Sequence, residues 1–288
     1  MKEKTGIVNI SVANIRSKPK HQAALITQKL LGKPLKLYEQ DGNWFFIQTQ
    51  NDYKGWINSS NIQIASNETL ENWKHSKKII FTGHYGTVYQ KKDKSSSPVS
   101  DLVMGDILRL EKEYKNWYKV TFPDGRSGYL TKSQAIPLSE YYNQIELNMN
   151  SIVKLARSFL GTSYLWGGTS SKAVDCSGFV KLVFIMHGIT LPRNASEQSK
   201  VGKSIPIDKH YKNLQAGDLL FFGKNKVTHV GIYLGNYEYI HASGYVKINS
   251  LDKAAPNYNA RRASTLLTAT RILGHRDYME MDIFKTSH

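Results

Sequence analysis

Cys176 is the only cysteine in the 288-residue chain, and its neighbours are those of a candidate nucleophile. It follows an acid, Asp175, and precedes an apolar run able to form a helix, in the stretch AVDCSGFV. The positive end of a helix stabilises a thiolate over a thiol, so this position predicts a lowered pKa for the Cys176 thiol. The alternative is a cysteine that only fills the core, since free cysteine is among the most buried residue types.

A nucleophilic thiol needs a base and a group that orients the base, and two histidines are placed to supply them. His229 opens the strand-like HVGIYLG, and His241 follows in YEYIHAS, with Gly235-Asn236 as the turn between the strands. In a tight hairpin the two strands run side by side, so both imidazoles can lie near one end of the sheet. The three residues together predict a cysteine–histidine site for acyl transfer.

The elements that would carry these residues begin at about residue 148. SIVKLARSFLG places five apolar residues on one helix face, namely Ile152, Leu155, Ala156, Phe159 and Leu160. CSGFVKLVFIMHG predicts a second helix, with Asp175 at its N-cap and Gly188 at its end. Strand patterns follow in DLLFF, HVGIYLG, YEYIHA and YVKIN. Helices before a run of antiparallel strands indicate an α+β domain.

The first half of the chain contains an internal repeat with a period of 73 residues. NWFFI at 43–47 and NWYKV at 116–120 have glycines at the same distances before and after the tryptophan. Such agreement indicates a duplication. Short alternating segments separated by turn residues, such as LKLYE and WFFIQT, predict small antiparallel barrels. The segment NETLENWKHSKK between the repeats is polar and helix-capable, which favours a linker.

Both halves resemble known families. The glycine–tryptophan spacing of the repeats is similar to that of bacterial SH3-like domains, over roughly 5–65 and 77–137. SYLWGGTSSKAVDCSGFVKLVF, LPRNASEQ, LQAGDLLFFG and THVGIYLGNYEYIHAS resemble the NlpC family of papain-like cell-wall cysteine peptidases, over about 148–275. The predicted fold class is therefore multidomain. Two small all-β SH3-like barrels, at 1–66 and at 67–140 with the linker, precede an α+β papain-like catalytic domain at 141–288.

The resemblance implies roles for matching residues. Cys176 would be the nucleophile, His229 the base that takes its proton, and His241 the group that orients the His229 ring. Tyr164 would lie close to the sulfur, with its hydroxyl available to the developing oxyanion or to the substrate. Backbone N–H groups at the start of the Cys176 helix would stabilise the oxyanion.

Substrate-binding residues are implied in the same way. Asp175 and Ser177 match residues that help hold the substrate's free amino terminus in the relatives, although Asp175 could equally be a plain helix cap. Arg193 and Ser196 match an arginine and a serine that face the substrate. Arg193 is expected to pair with the α-carboxylate that a γ-linked glutamate leaves free.

The first barrel is expected to supply one wall of the substrate site, as in similar enzymes. Tyr53, in NDYKGW, is the aromatic candidate for this wall. Ala24 and Lys33 stand where relatives commonly carry a glutamate, which is a departure from the pattern that closes the pocket round a free amine.

The function implied by the resemblance is hydrolysis of the γ-D-glutamyl–diamino acid bond of peptidoglycan stem peptides that have a free N-terminal L-Ala. The domain layout is similar to that of γ-D-glutamyl-L-diamino acid endopeptidases of the dipeptidyl-peptidase VI type. Two alternatives stay open at this point. One is an amidase or acyltransferase on the same scaffold. The other is a peptidoglycan-binding protein whose C-terminal domain is inactive.

Composition narrows the partners. A formal net charge of +16 and a pI near 9.6 favour anionic partners. The lysines are scattered, however, and the sequence lacks the basic stripe with interleaved aromatic residues that is typical of nucleic-acid binding, so nucleic acid is not expected as a partner. The histidines lack a ligand spacing, so neither a metal nor another cofactor is expected. No apolar run is long enough to span a bilayer. We expect a monomer in the bacterial cell envelope or the cytoplasm.

Overall fold

The computed structural model describes residues 4–48 and 53–272. They form two compact units. Of the described residues, the first unit comprises 4–48, 53–144 and Ser170–Lys172, and the second comprises 145–169 and 173–272. Within the described ranges, no helix is both long enough and apolar enough to cross a membrane.

The first unit begins with a seven-stranded antiparallel sheet. Its strands are β1 (Lys4–Val8), β2 (Val12–Arg16), β3 (Leu25–Leu30), β4 (Pro34–Asp41), β5 (Trp44–Gln48), β6 (Lys54–Asn58) and β7 (Ile62–Ala65). Their spatial order is β3-β2-β6-β5-β4-β1-β7. Alternate residues of these strands, such as Ala13 and Ile15 of β2, point into one apolar core.

A second seven-stranded sheet follows after helix α1 (Asn67–His75). Its strands are β8 (Lys78–Phe81), β9 (Tyr85–Tyr89), β10 (Pro98–Val103), β11 (Ile107–Glu113), β12 (Trp117–Thr121), β13 (Ser127–Thr131) and β14 (Ala135–Pro137), with helix α2 (Leu138–Gln144) after them. The order β10-β9-β13-β12-β11-β8-β14 repeats that of the first sheet strand for strand. Val12 and Tyr85, which open β2 and β9, lie one sequence period apart.

Helix α1 and a buried carboxylate join the two sheets of this unit. Leu70 and Trp73 of α1 are buried, and the Trp73 indole donates to the Gly32 carbonyl at 3.1 Å. Leu31 packs into the core of the second sheet. Its backbone N–H donates to the fully buried carboxylate of Asp106 at 3.1 Å. The predicted linker segment therefore contributes a packed helix to the unit.

The second unit contains the predicted helices and a six-stranded sheet. Its helices are α3 (Met149–Ser158), α4 (Cys176–Ile185), α5 (Ala195–Gln198) and α6 (Ala260–Ala263). The remaining strands are β15 (Thr169–Ser170), β16 (Ala173–Val174), β17 (Lys203–Ile205), β18 (Leu219–Phe222), β19 (His229–Gly235), β20 (Glu238–Ser243), β21 (Tyr245–Ser250) and β22 (Leu266–Arg271). Strands β15 and β16 pair with each other, and the large sheet has the order β17-β22-β18-β19-β20-β21. Helix α4 packs against β19 and β20.

The predicted apolar face of α3 is correct except at its end. Ile152, Ala156 and Phe159 are fully buried, whereas Leu160 is 48% exposed. The helix ends at Ser158, so Leu160 lies in the turn and no longer follows the helical period. Gly161 takes a φ of +84° in this turn, as a helix stop requires.

Candidate active site

Cys176 is the first residue of α4 and lies where that helix meets the sheet. Asp175 caps the helix, because its Oδ1 accepts a hydrogen bond from the Gly178 N–H at 2.7 Å. Backbone N–H groups of Val230 and Ser177 hydrogen-bond the Cys176 sulfur. Val230 directly follows His229 in β19, so the sulfur lies against the strand that begins with this histidine.

The predicted direction of the Cys176 pKa is wrong. Burial raises the pKa of this thiol above its usual 9.0, and the negative charge of Asp175 raises it further. The N–H groups of Val230 and Ser177 and the charge of Arg193 act in the opposite direction but are smaller effects. The helix-end argument fails here because Cys176 is only 9% exposed and desolvation penalises the thiolate.

The β19–β20 hairpin brings His229 and His241 together. His229 is 4% exposed and His241 is fully buried. The Nε2 atom of His229 lies 2.7 Å from Nδ1 of His241. Burial lowers the pKa of His229 well below 6.5 and that of His241 to about 4, so both rings are neutral at neutral pH.

A chain of hydrogen bonds determines which nitrogen of each ring carries the proton. Asn249 donates from Nδ2 to the Asn257 carbonyl at 2.9 Å, so its Oδ1 faces Nε2 of His241 at 2.9 Å. Because Oδ1 can only accept, His241 carries its proton on Nε2 and accepts at Nδ1. His229 must then donate from Nε2. The remaining nitrogen of His229, Nδ1, is left unprotonated and is the atom able to take a proton from a thiol.

Asn249 is a functional candidate that the sequence did not reveal. It lies in β21, next to β20, and its backbone pairs with that of Tyr239 rather than with His241. Polar residues are common at the ends of β-strands, so the segment YVKINS gives no reason to select Asn249 as a functional residue. Only the register of the β20–β21 pair brings Asn249 to the far side of His241.

We expect Asn249→Ala to lower kcat/KM by about 5- to 150-fold, because the buried Nε2–H of His241 loses its acceptor at a cost of about 1–3 kcal/mol. Asn249→Asp should retain more activity than Asn249→Ala, since a carboxylate oxygen still accepts this proton. Steady-state kinetics of both variants, with Asn213→Ala in an exposed turn as control, test the expectation. Equal activity in Asn249→Ala and the control would contradict it.

Asp175 is the centre of a buried polar cluster on the other side of the nucleophile. Its carboxylate accepts from Gly178, from the Ser177 hydroxyl, from the Gly167 N–H at 2.9 Å, and from both terminal nitrogens of Arg193. The Arg193 guanidinium also donates to the Ser177 hydroxyl at 3.0 Å. Arg193 is 6% exposed and forms a buried ion pair with Asp175. The positive charge of Arg193 therefore balances the negative charge of this carboxylate.

Two residues of this cluster, Asp175 and Arg193, were predicted to contact the substrate. Asp175 is a helix cap, and its contact with a substrate amine stays a prediction. The predicted contact of Arg193 with a substrate carboxylate also stays a prediction, and its guanidinium is already engaged by Asp175 and Ser177.

The other predicted substrate residues are Tyr164 and Ser196 in the second unit and Tyr53 in the first. Tyr164 is half-buried, and burial together with the charges of Cys176 and Asp175 raises the pKa of its hydroxyl to about 12. Its backbone forms a parallel bridge with Val174, two residues before Cys176, which brings Tyr164 near the start of α4. Ser196 is exposed on α5, and Tyr53 lies half-buried just before β6 in the first unit. The roles of Ser196 and Tyr53 stay predictions.

Comparison with known proteins yields matches for both halves of the chain. The model of the NlpC/P60 family matches residues 161–265, and that of the bacterial SH3 domain matches residues 11–63. Dipeptidyl-peptidase 6 of Lysinibacillus sphaericus is 28% identical over 270 residues, which cover 90% of this chain and 96% of that protein. The γ-D-glutamyl-L-lysine dipeptidyl-peptidase of Bacillus subtilis strain 168 is 29% identical over 228 residues, which cover 75% of this chain and 71% of that protein.

Solved structures agree on the fold. The crystal structure of an NlpC/P60 family protein from Bacillus cereus ATCC 10987 superposes with a TM-score of 0.78 at 24% sequence identity. The match covers 93% of this chain and 99% of that one. The succession of β-sheets and a helix-plus-sheet unit is therefore a known architecture.

Proposed function

We propose that this chain, whose residues 161–265 match the NlpC/P60 family and whose residues 11–63 match the bacterial SH3 domain, is a cysteine peptidase that hydrolyses the γ-D-glutamyl–diamino acid bond of peptidoglycan stem peptides. The preferred substrate has a free N-terminal L-Ala. The names of two relatives, dipeptidyl-peptidase 6 and γ-D-glutamyl-L-lysine dipeptidyl-peptidase, support this choice of bond.

The observation that carries the proposal is the polarity of the hydrogen-bond chain through His229, His241 and Asn249. It leaves a neutral imidazole with its basic nitrogen free, in a strand that also contacts the Cys176 sulfur. A base, an orienting ring and a thiol in this order are the parts that acyl transfer needs.

Acylation proceeds from the neutral thiol. Nδ1 of His229 takes the proton as the Cys176 sulfur attacks the γ-carbonyl carbon of the glutamyl residue. The resulting oxyanion is stabilised by the Tyr164 hydroxyl and by backbone N–H groups at the start of α4. The carbon–nitrogen bond then breaks, the imidazolium of His229 protonates the leaving amine of the diamino acid, and a thioester remains on Cys176.

Deacylation reverses the proton path. Water attacks the thioester carbonyl while Nδ1 of His229 accepts a proton from it. The carbon–sulfur bond breaks, the proton returns from His229 to the sulfur, and L-Ala-D-Glu leaves with a new γ-carboxylate. Cys176 and His229 are back in their neutral starting states.

The two sheets of the first unit are both assigned to SH3-like domains in this proposal, at 1–66 and 67–140, with the catalytic domain at 141–288. The repeated strand order and the common 73-residue spacing support the second domain, which the family model for residues 11–63 does not cover. Peptidoglycan-derived peptides are the proposed partners, and the protein acts as a monomer in the cell envelope or the cytoplasm.

The amine requirement is tested with two forms of one peptide. We expect the protein to cleave L-Ala-γ-D-Glu-diaminopimelate at least about 10-fold faster, in kcat/KM, than the same peptide acetylated at its amine, because an ammonium group supplies charge-assisted hydrogen bonds. Chromatography of the released diamino acid measures both rates, and the lysine peptide run in parallel identifies the preferred third residue.

Three other results are informative. Equal cleavage of both forms would contradict the free-amine requirement and leave a general endopeptidase. Cleavage of neither form, with tight binding to cell-wall sacculi, would favour a peptidoglycan-binding protein. Hydrolysis of N-acetylmuramyl amides in place of stem peptides would favour an amidase.

A further inference from the structure

Arg262 lies on α6, a short helix that is tied to the histidine chain. The Asn259 side chain caps this helix by accepting from the Arg262 N–H at 3.0 Å. The amide nitrogen of Asn259 also lies 3.5 Å from Oδ1 of Asn249, the atom that holds His241. Ala263, the next residue, packs against the core of the six-stranded sheet. The backbone of Arg262 is therefore held at a defined position relative to the candidate active site.

The guanidinium of Arg262 belongs to the same cluster of groups as the nucleophile. Burial is the main cause of the pKa shifts of His229, His241 and Tyr164, and the positive charge of Arg262 acts on all three groups in addition. Cys176 and Tyr164 in turn act on the pKa of Arg262. Charges influence one another in this way only over short distances in a partly desolvated site. The charge of Arg262 therefore acts on the candidate nucleophile and on both histidines of the hydrogen-bond chain.

Among the buried and partly buried arginines of this unit, Arg262 is the one that has no acid beside it in the described residues. Arg193 chelates Asp175, and Arg271 chelates Asp218. In the ranges 4–48 and 53–272, no carboxylate lies within ion-pair distance of Arg262. Burial lowers the pKa of Arg262, because removing the guanidinium from water costs free energy. No carboxylate of the described residues lies close enough to compensate for this cost. A guanidinium in this situation is suited to an anion that arrives with the substrate.

The substrate class of the proposed function supplies such an anion at a suitable place. A γ-peptide bond leaves the α-carboxylate of the glutamyl residue free, only a few carbon atoms from the carbonyl that Cys176 attacks. We propose that Arg262 binds this α-carboxylate and makes it a determinant of substrate specificity. The proposal rests on the proposed function, and it gives Arg262 the contact that sequence reasoning expected of Arg193.

The test compares two peptides and two arginine variants. The peptides are L-Ala-γ-D-Glu-diamino acid and its analogue in which the glutamyl α-carboxylate is a carboxamide. We expect the wild-type protein to prefer the carboxylate form by about 10- to 100-fold in kcat/KM. Arg262→Gln should lose this preference, mainly through a raised KM for the carboxylate form, so that the two forms are cleaved with similar kcat/KM. Arg262→Lys should keep part of the preference.

Arg261→Gln is the matched control, because Arg261 is an exposed arginine in the same helix and the charge change is identical. We expect this variant to keep the full preference. Thermal unfolding of all variants shows whether the helix has kept its fold.

Each other result would overturn the proposal. Equal cleavage of both peptides by the wild-type protein would remove the carboxylate contact and leave the endopeptidase function intact. An equal loss on both peptides in Arg262→Gln, at unchanged thermal stability, would assign Arg262 to the transition state instead. Cleavage of neither peptide by the wild-type protein would overturn the proposed function itself, and this proposal with it.

Discussion

Cys176→Ser is expected to lower kcat/KM on the free-amine stem peptide by about 10³-fold or more, because a serine hydroxyl gives up its proton far less readily than a thiol. The thioester cannot form in Cys176→Ala. Steady-state kinetics measure the loss. Mass spectrometry of wild-type protein mixed with substrate and quenched in acid should reveal an adduct with the mass of the L-Ala-γ-D-glutamyl group, confined to the peptide that contains Cys176.

The single cysteine of the chain provides a clean control for this experiment. Iodoacetamide can alkylate only one thiol, so one equivalent of label should abolish turnover, and substrate should protect against it. Thermal unfolding of Cys176→Ser should match that of the wild-type protein, since the change in volume is small. Undiminished turnover in Cys176→Ser would remove the covalent mechanism.

His229→Gln is expected to have an effect of similar size, about 10³-fold in kcat, because Cys176 has no other base in the proposed mechanism. Residues that act as a unit are not additive, so the Cys176→Ser/His229→Gln double variant should be no slower than either single variant. His210→Gln, which changes an exposed histidine of the same unit, serves as the control and should be fully active. A double variant that multiplies the two losses would contradict a shared role.

The protonation states add a pH test of the same residue. His229 must be neutral to accept a proton, and its lowered pKa keeps it neutral until the pH falls below 6.5. The profile of kcat/KM should therefore be flat from neutral pH down to 6.5 and should decline only below that value. The thiolate absorbance of the free protein should rise at higher pH than that of an exposed cysteine, since burial raises the pKa of the Cys176 thiol. Thiolate absorbance in the free protein at neutral pH would contradict a neutral Cys176 thiol beside a neutral His229 imidazole.

Features that depend only on residues close together in the sequence could be predicted from the sequence. Asp175 was identified as a helix cap because capping needs only a side-chain oxygen placed before an apolar helical run. The His229–His241 pairing followed from hairpin geometry, since two strands joined by a short turn must lie side by side. The strands of the first two sheets followed from alternating apolar residues, and the repeated strand order followed from a repeated spacing of glycine and tryptophan.

Tertiary structure alone decided the features that depend on distant neighbours. The pKa of Cys176 rises because the packing of α4 on the sheet removes water from the sulfur, and burial is not encoded in the residues beside it. Arg193 meets Asp175 rather than solvent, and Asn249 meets His241, only because separate elements pack together. The same packing brings α6, the helix that carries Arg262, next to Asn249 through the side chain of Asn259. Local sequence determined which chemical groups are present and in which elements, whereas long-range packing determined their partners and charge states.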